Sequence, residues 1–355
     1  MNTRIGLCLA VLVAGALGVA AEPAPGNPSS PRQKQPSAAA APHKPASPSW
    51  TPPRTAWGDP DLQGAYSNTE ETGIPFERPA QFDGRRISDF TPDELQAIVR
   101  QRNEQFKQSV AGTEWAGGLR PPTYLIFDTF DRKNSRPWLV VEPADGHIPP
   151  LTPSGQQRAQ AQFRQPSSNA NPRGPFNGPE DLGLYDRCIT RGIPFSMMPA
   201  GYGANYEIVQ SPQSVAIVYE MVHETRVIPL DPRPHLGDGL RQYLGDARGR
   251  WEGNSLVVET TNFTDKTGFR GSSDRLRLIE RFTPTAPDVV EWSVTFDDPS
   301  TWTRPWTFAM NLTKLDRSQR VFEYACHEGN YGMRNILSGA RAADAVGREA
   351  GPTSK

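Results

Sequence analysis

The sequence predicts a mainly β protein in which an antiparallel meander closes into a barrel, with a few helices at its periphery. Three observations carry this. After Gly201 the chain falls into short runs of alternating apolar and polar residues, the period of a pleated strand. Turn-forming clusters separate the runs: Ser211-Pro212-Gln213, Glu252-Gly253-Asn254, Gly271-Ser272-Ser273, Ala286-Pro287-Asp288 and Asp316-Arg317-Ser318. Consecutive strands on short turns favour antiparallel pairing, and closure removes the exposed edges.

In chain order, residues 1–21 read as a secretory leader. Arg4 is followed by an apolar run over 7–17 that is short for a bilayer span, with Val19-Ala20-Ala21 offering a cleavage point. Residues 22–56 are expected to be a disordered tether. Eleven of the thirty-six prolines lie between 22 and 60, among Ser and Ala too sparse in apolar side chains to fold. Residues 57–200 are expected to supply strands, helices and long loops packing on the barrel. Thr91-Pro92-Asp93-Glu94 announces a helix through about 108, as a capping box with proline at the first helical position. A strand is predicted over 138–143, a helix opening at Thr152-Pro153 and ending near 163, and a long loop over 165–199. The barrel core is placed at 201–346, with strands at 206–211, 215–230, 250–263, 276–282, 289–296, 306–312 and 321–327. A helix over 335–346 and a disordered tail over 347–355 complete the chain.

The alternation also assigns faces. Over 215–230, Val215, Ile217, Tyr219, Met221 and His223 share one side, and Glu220, Glu224 and Arg226 the other. Glu280 shares a face with Leu276, Leu278 and Phe282, and Glu328 shares one with Phe322, Tyr324 and Cys326. The expected interior is thus apolar, interrupted by His223, Glu280 and Glu328. A single bulge would move any of them by a face.

The runs RQYLGDARGRWEGNSLVVETTNFTDKTGFRGSSDRLRLIERF, DPSTWTRPWT and FEYACHEGNYGMRNILSGAR resemble a widespread family of exported bacterial proteins of unknown function. DPDLQG, GPEDLGLYDRCI and RVIPLDPRPHL resemble it as well, so the likeness covers most of residues 57–341. The family carries no established catalytic residues to transfer. A looser similarity, resting on strand rhythm, is to calycin-like barrels including lipocalins; a shared fold of that kind says little about chemistry.

The formal charge is -1, and removing the leader takes away Arg4 and no acid, giving -2. That balance argues against a nucleic-acid partner, and nothing after the leader is apolar enough for membrane insertion. The expected location is periplasmic or secreted. There Cys188 and Cys326, the two cysteines outside the leader, are expected to bridge the long loop to the last strand; two separate buried thiols are the alternative. The sequence has no phosphate-binding loop and no G-x-S-x-G elbow. His223-Glu224 and His327-Glu328, with His147 and His235 elsewhere, lack the H-E-x-x-H spacing, so a metal-dependent enzyme is only an alternative. No cofactor is expected. The leading expectation is a barrel holding a small, largely apolar ligand, with acid–base turnover by His223, Glu280 and Glu328 and oxyanion donation from Tyr219 or Tyr324. Around it, Arg226 with Glu220 forms a candidate anion clamp, His327 a further contact, and Trp302, Arg304 and Trp306 a stacking rim. A non-catalytic binding or interaction protein of the cell envelope is the competing class.

Overall fold

A computed structural model of the chain describes residues 50–110, 133–164, 176–200, 203–316 and 318–349. The expected leader, most of the tether and the end of the tail lie outside the described residues. The described end of the expected tether is structured: Arg54 bridges to Pro60, and Thr55 N–H donates to Asp59 O at 2.9 Å.

Ten strands form one antiparallel sheet: β1 (Gly64–Ser67), β2 (Val140–Glu142), β3 (Asn205–Ser211), β4 (Ser214–Tyr219), β5 (Thr225–Pro229), β6 (Asp246–Glu252), β7 (Ser255–Thr261), β8 (Arg277–Ala286), β9 (Val289–Asp297) and β10 (Trp306–Lys314). The hydrogen-bonded order is β5-β4-β3-β1-β10-β9-β8-β7-β6, with β2 pairing to β10 off this path. The two end strands come together. An added Cβ on Gly249 of β6 would lie 2.8 Å from both Ile228 of β5 and Leu230 just beyond it. The sheet is therefore a nearly closed barrel. It departs from a plain meander in two places: β2 pairs with β10 off the path, and β1 is inserted between β3 and β10. There Tyr66 stands opposite Tyr206 on one side and Lys314 on the other.

Three α-helices lie among the described residues: α1 (Pro92–Val110), α2 (Pro153–Arg164) and α3 (Tyr331–Glu349). The capping box of α1 forms as the sequence spells it. Glu94 N–H donates to Thr91 Oγ1 at 3.3 Å, and Thr91 N–H donates to Glu94 Oε2 at 2.8 Å. No helix among the described residues is long and apolar enough to cross a membrane.

The predicted inward sets of β8, β9 and β10 are fully buried: Leu278, Glu280 and Phe282; Trp292, Val294 and Phe296; Trp306, Phe308, Met310 and Leu312. Phe296 and Trp306 lie face to face, ring centroids 4.3 Å apart and planes 7° from parallel. Phe269 stacks against both Phe296 and Trp306, at 5.1 and 6.4 Å, and Trp302 meets Phe296 and Trp306 edge-on at 5.6 and 5.5 Å. With Phe76 and Phe308 against them, these rings fill this part of the interior to core density. Phe296→Ala should cost about 3–5 kcal/mol in chemical denaturation, because the rings around it cannot collapse into the space it leaves.

Candidate functional site

The run 214–230 is two strands and a turn, where the sequence reading had one strand. After Tyr219 the chain passes through Glu220 in the right-handed helical region, then Val222 at φ 65° and His223 at φ 54°. Two consecutive non-glycine residues at positive φ make a sharp reversal, which a β-branched valine rarely adopts. The hairpin closes with Tyr219 N–H donating to Glu224 O at 2.9 Å, and Ile217 opposite Arg226. The turn changes the phase of the alternation. Tyr219 stays inward on β4, but on β5 the inward residues are Arg226 and Ile228, while His223 is exposed. The interior thus receives a guanidinium where an imidazole was expected.

That guanidinium meets Glu280. Arg226 Nη1 lies 2.6 Å from Glu280 Oε2, with the two side chains 3% and 0% exposed. Arg226 Nη2 donates to Thr260 Oγ1 at 2.6 Å, and Trp292 Nε1–H donates to Glu280 Oε1 at 3.2 Å. Burial opposes the Arg226 charge, yet the Glu280 carboxylate and Tyr219 outweigh it and hold the guanidinium above its ordinary pKa. Burial pushes the Tyr219 phenol up; Arg226 pulls it back and Glu280 adds to the rise. The cluster is a neutral ion pair with hydrogen-bonded neighbours, closed to solvent. Its geometry braces the core and offers no substrate a way in.

The remaining predicted residues are dispersed. Residues 321–327 form no strand, so Glu328 and His327 are exposed and Tyr324 is half-buried, away from Glu280. The physical reason is pairing. β10 is hydrogen-bonded to β9 on one side and to β1 and β2 on the other, which leaves no edge for a strand that follows it. The expected meeting of His223, Glu280 and Glu328 therefore does not occur. Glu220 lies apart from Arg226 and accepts from Asn205 Nδ2 at 2.6 Å; burial raises its carboxyl pKa and that bond partly offsets the rise. Trp302 and Trp306 are core rings, 2% and 1% exposed, rather than a rim. Arg304 is exposed and reaches Asp145 at 3.2 Å. Cys188 and Cys326 form the expected disulfide, with Cα atoms 5.7 Å apart, although Cys326 lies in the irregular segment after β10 and not on a strand.

The structure assembles a different concavity. A cavity of about 420 Å³ is lined by Arg241, Gln242, Tyr243, Thr264, Asp265, Lys266 and Asp274. Its first wall is the connector between β5 and β6, pinned by one side chain. Asn262, at φ 56°, donates from Nδ2 to the carbonyls of Leu236, Gly237 and Leu240 at 3.0–3.1 Å. Gln242 N–H donates to Asn262 O at 2.9 Å and Thr264 N–H to Gln242 O at 3.1 Å, which joins this wall to the second. Arg241 donates to Phe263 O at 3.2 Å and lies 3.4 Å from the Asp274 carboxylate. Upstream, His235 Nδ1 is 2.9 Å from the buried Asp246, which also accepts from Leu236 N–H at 2.9 Å and from Arg248 at 2.7 Å. His235 Nε2 faces Glu259 at 3.7 Å.

All seven lining residues fall inside the long distinctive run 241–282, where the sequence assigned a site role to Glu280 but to none of these seven. The available signal was a cluster of charged and amide side chains beside turns. Among the described residues, no group of three His, Cys, Asp or Glu side chains is placed to hold a metal ion. No protein-family model matches this sequence, and no curated protein or solved structure is significantly similar to it.

The brace has a defined mutational signature. Arg226→Met alone leaves a carboxylate in a dry core and should cost about 3–5 kcal/mol; Arg226→Met with Glu280→Leu should recover most of that loss. Chemical denaturation of the two single variants and the double variant measures the coupling.

Proposed function

We propose that the protein is an exported binding protein that takes a small polar molecule in the cavity between residues 241–243, 264–266 and 274. The barrel serves as a rigid carrier. The observation that carries this reading is the lining itself: a cavity of about 420 Å³ framed by cations, carboxylates, a phenol and an amide. That volume lies in the range of small-molecule sites. Lys266 and Asp265, adjacent at its edge, form no ion pair among the described residues, so both signs of charge are free to meet a ligand. Arg241 is already engaged with Asp274 and holds the wall in shape. A molecule carrying both a carboxylate and an ammonium or several hydroxyls fits this pattern.

An apolar ligand inside the barrel was the sequence expectation. The interior positions that would receive it are filled by the protein's own aromatic and aliphatic side chains, so binding is assigned to the rim. Acid–base turnover has less support, since His235 and its carboxylate partner Asp246 are not among the lining residues.

A thermal-shift screen against amino acids, dipeptides, polyols and hydroxy acids tests the reading, followed by calorimetric titration of any hit. A ligand at a hundred times its dissociation constant should add about 2.7 kcal/mol of stability. Lys266→Glu and Tyr243→Ala should each weaken that ligand at least about tenfold while changing the free protein by no more than about 0.5 kcal/mol. Unchanged affinity in both variants would overturn the assignment of the site.

A further inference from the structure

We infer that Cys188–Cys326 is a reducible latch, attacked by an external thiol at Cys326, whose opening frees the C-terminal segment 318–349 from the barrel. Three observations point the same way. The two sulfurs are unequal: Cys188 is 4% exposed, whereas Cys326 is half-buried. A cavity of about 200 Å³ opens directly on the bridge, lined by both cysteines with Tyr185, Tyr324, Asn330 and Met333. The buried sulfur also has a hydrogen-bond donor: Asn330 Nδ2 lies 3.4 Å from Cys188 Sγ while donating its other proton to Asp186 O at 2.8 Å.

This arrangement suits thiol–disulfide exchange in one direction. The thiolate of a dithiol reductant bonds to Cys326 Sγ through the cavity. The Cys188–Cys326 bond breaks, and its electron pair leaves with Cys188 as a thiolate that Asn330 stabilises by hydrogen bonding. The reductant's second thiol, once deprotonated, then attacks its own sulfur in the mixed disulfide and releases Cys326 as a thiolate. Both cysteines take up protons. The protein gains two electrons and two protons, and the dithiol becomes a disulfide.

The segment held by this bridge is lightly attached. No residue from 318 to 346 is buried, although α3 is amphipathic, with Met333, Ile336, Leu337 and Ala340 on one side. Its hydrogen bonds to the body include those of Arg341 to the carbonyls of Phe176 and Asn177, both at 2.9 Å. Such a segment lies at the low-stability end of a fold, where a covalent tie decides whether it stays.

The test treats the oxidised full chain with reduced glutathione in native buffer, traps free thiols with iodoacetamide and maps both adducts by mass spectrometry. Glutathione should sit on Cys326 and carbamidomethyl on Cys188, with at least about tenfold selectivity and an unchanged circular dichroism spectrum. After full reduction with dithiothreitol, limited proteolysis should cut within 318–349 at least about tenfold faster than in the oxidised protein, leaving the barrel intact. Glutathione mainly on Cys188, exchange only in denaturant, or equal protease resistance of both forms would overturn the inference.

Discussion

Phe296 and Trp306 meet face to face where β9 and β10 pair, and the geometry of the barrel follows from keeping such rings out of water. Each strand gives one inward face, and ten strands enclose a space that must be filled with side chains or with something else. Here side chains fill it. Trp292, Trp302 and Trp306 are all at most 2% exposed, and phenylalanines from β8, β9, β10 and the loops close the gaps between them. Aromatic rings bury large areas with few rotatable bonds, so a barrel packed this way is stiff as well as stable. Stiffness in turn confines functional geometry to the rim, where connectors of irregular backbone can hold polar groups towards solvent.

The Arg226–Glu280 pair has to be understood inside that dry space. Two ions removed from water recover little net stability, yet each is costly once its partner is gone. The pair ties β5 to β8, while Thr260 on β7 accepts from Arg226 Nη2 and Trp292 on β9 donates to Glu280 Oε1. β5 and β6 are the two ends of the hydrogen-bonded path. A charge pair reaching from β5 across to β8 therefore helps to hold shut the one seam that has no continuous ladder.

At the rim, the same economy of anchors recurs. One asparagine with three carbonyl partners holds the β5–β6 connector, and one buried aspartate collects a backbone N–H, an arginine and a histidine beneath it. These anchors place Arg241, Gln242 and Tyr243 opposite Thr264, Asp265 and Lys266 without a regular element on the connector side. Rigid support under irregular backbone is the arrangement expected of a binding surface.

By itself the sequence determined, for β8, β9 and β10, where the strands run and which of their residues point together. The alternation in β8, β9 and β10 placed Glu280 among Leu278 and Phe282, and it placed Trp306 with Phe308. The capping box of α1 and the pairing of the two cysteines were legible for the same reason, since each depends on local spacing or on the number of partners available. Only the tertiary structure decided how one strand relates to the next. Periodicity carries no information across a turn: the positive φ angles of Val222 and His223 changed the phase, and Arg226 took the interior place read for His223. Nor does it reveal which edges remain free. Insertion of β1 beside β10 left the segment over 321–327 with no ladder to join, and Glu328 went with it to the surface. The rim cavity was hidden on the same principle, because it joins connectors more than twenty residues apart through backbone hydrogen bonds that exist only in the folded chain.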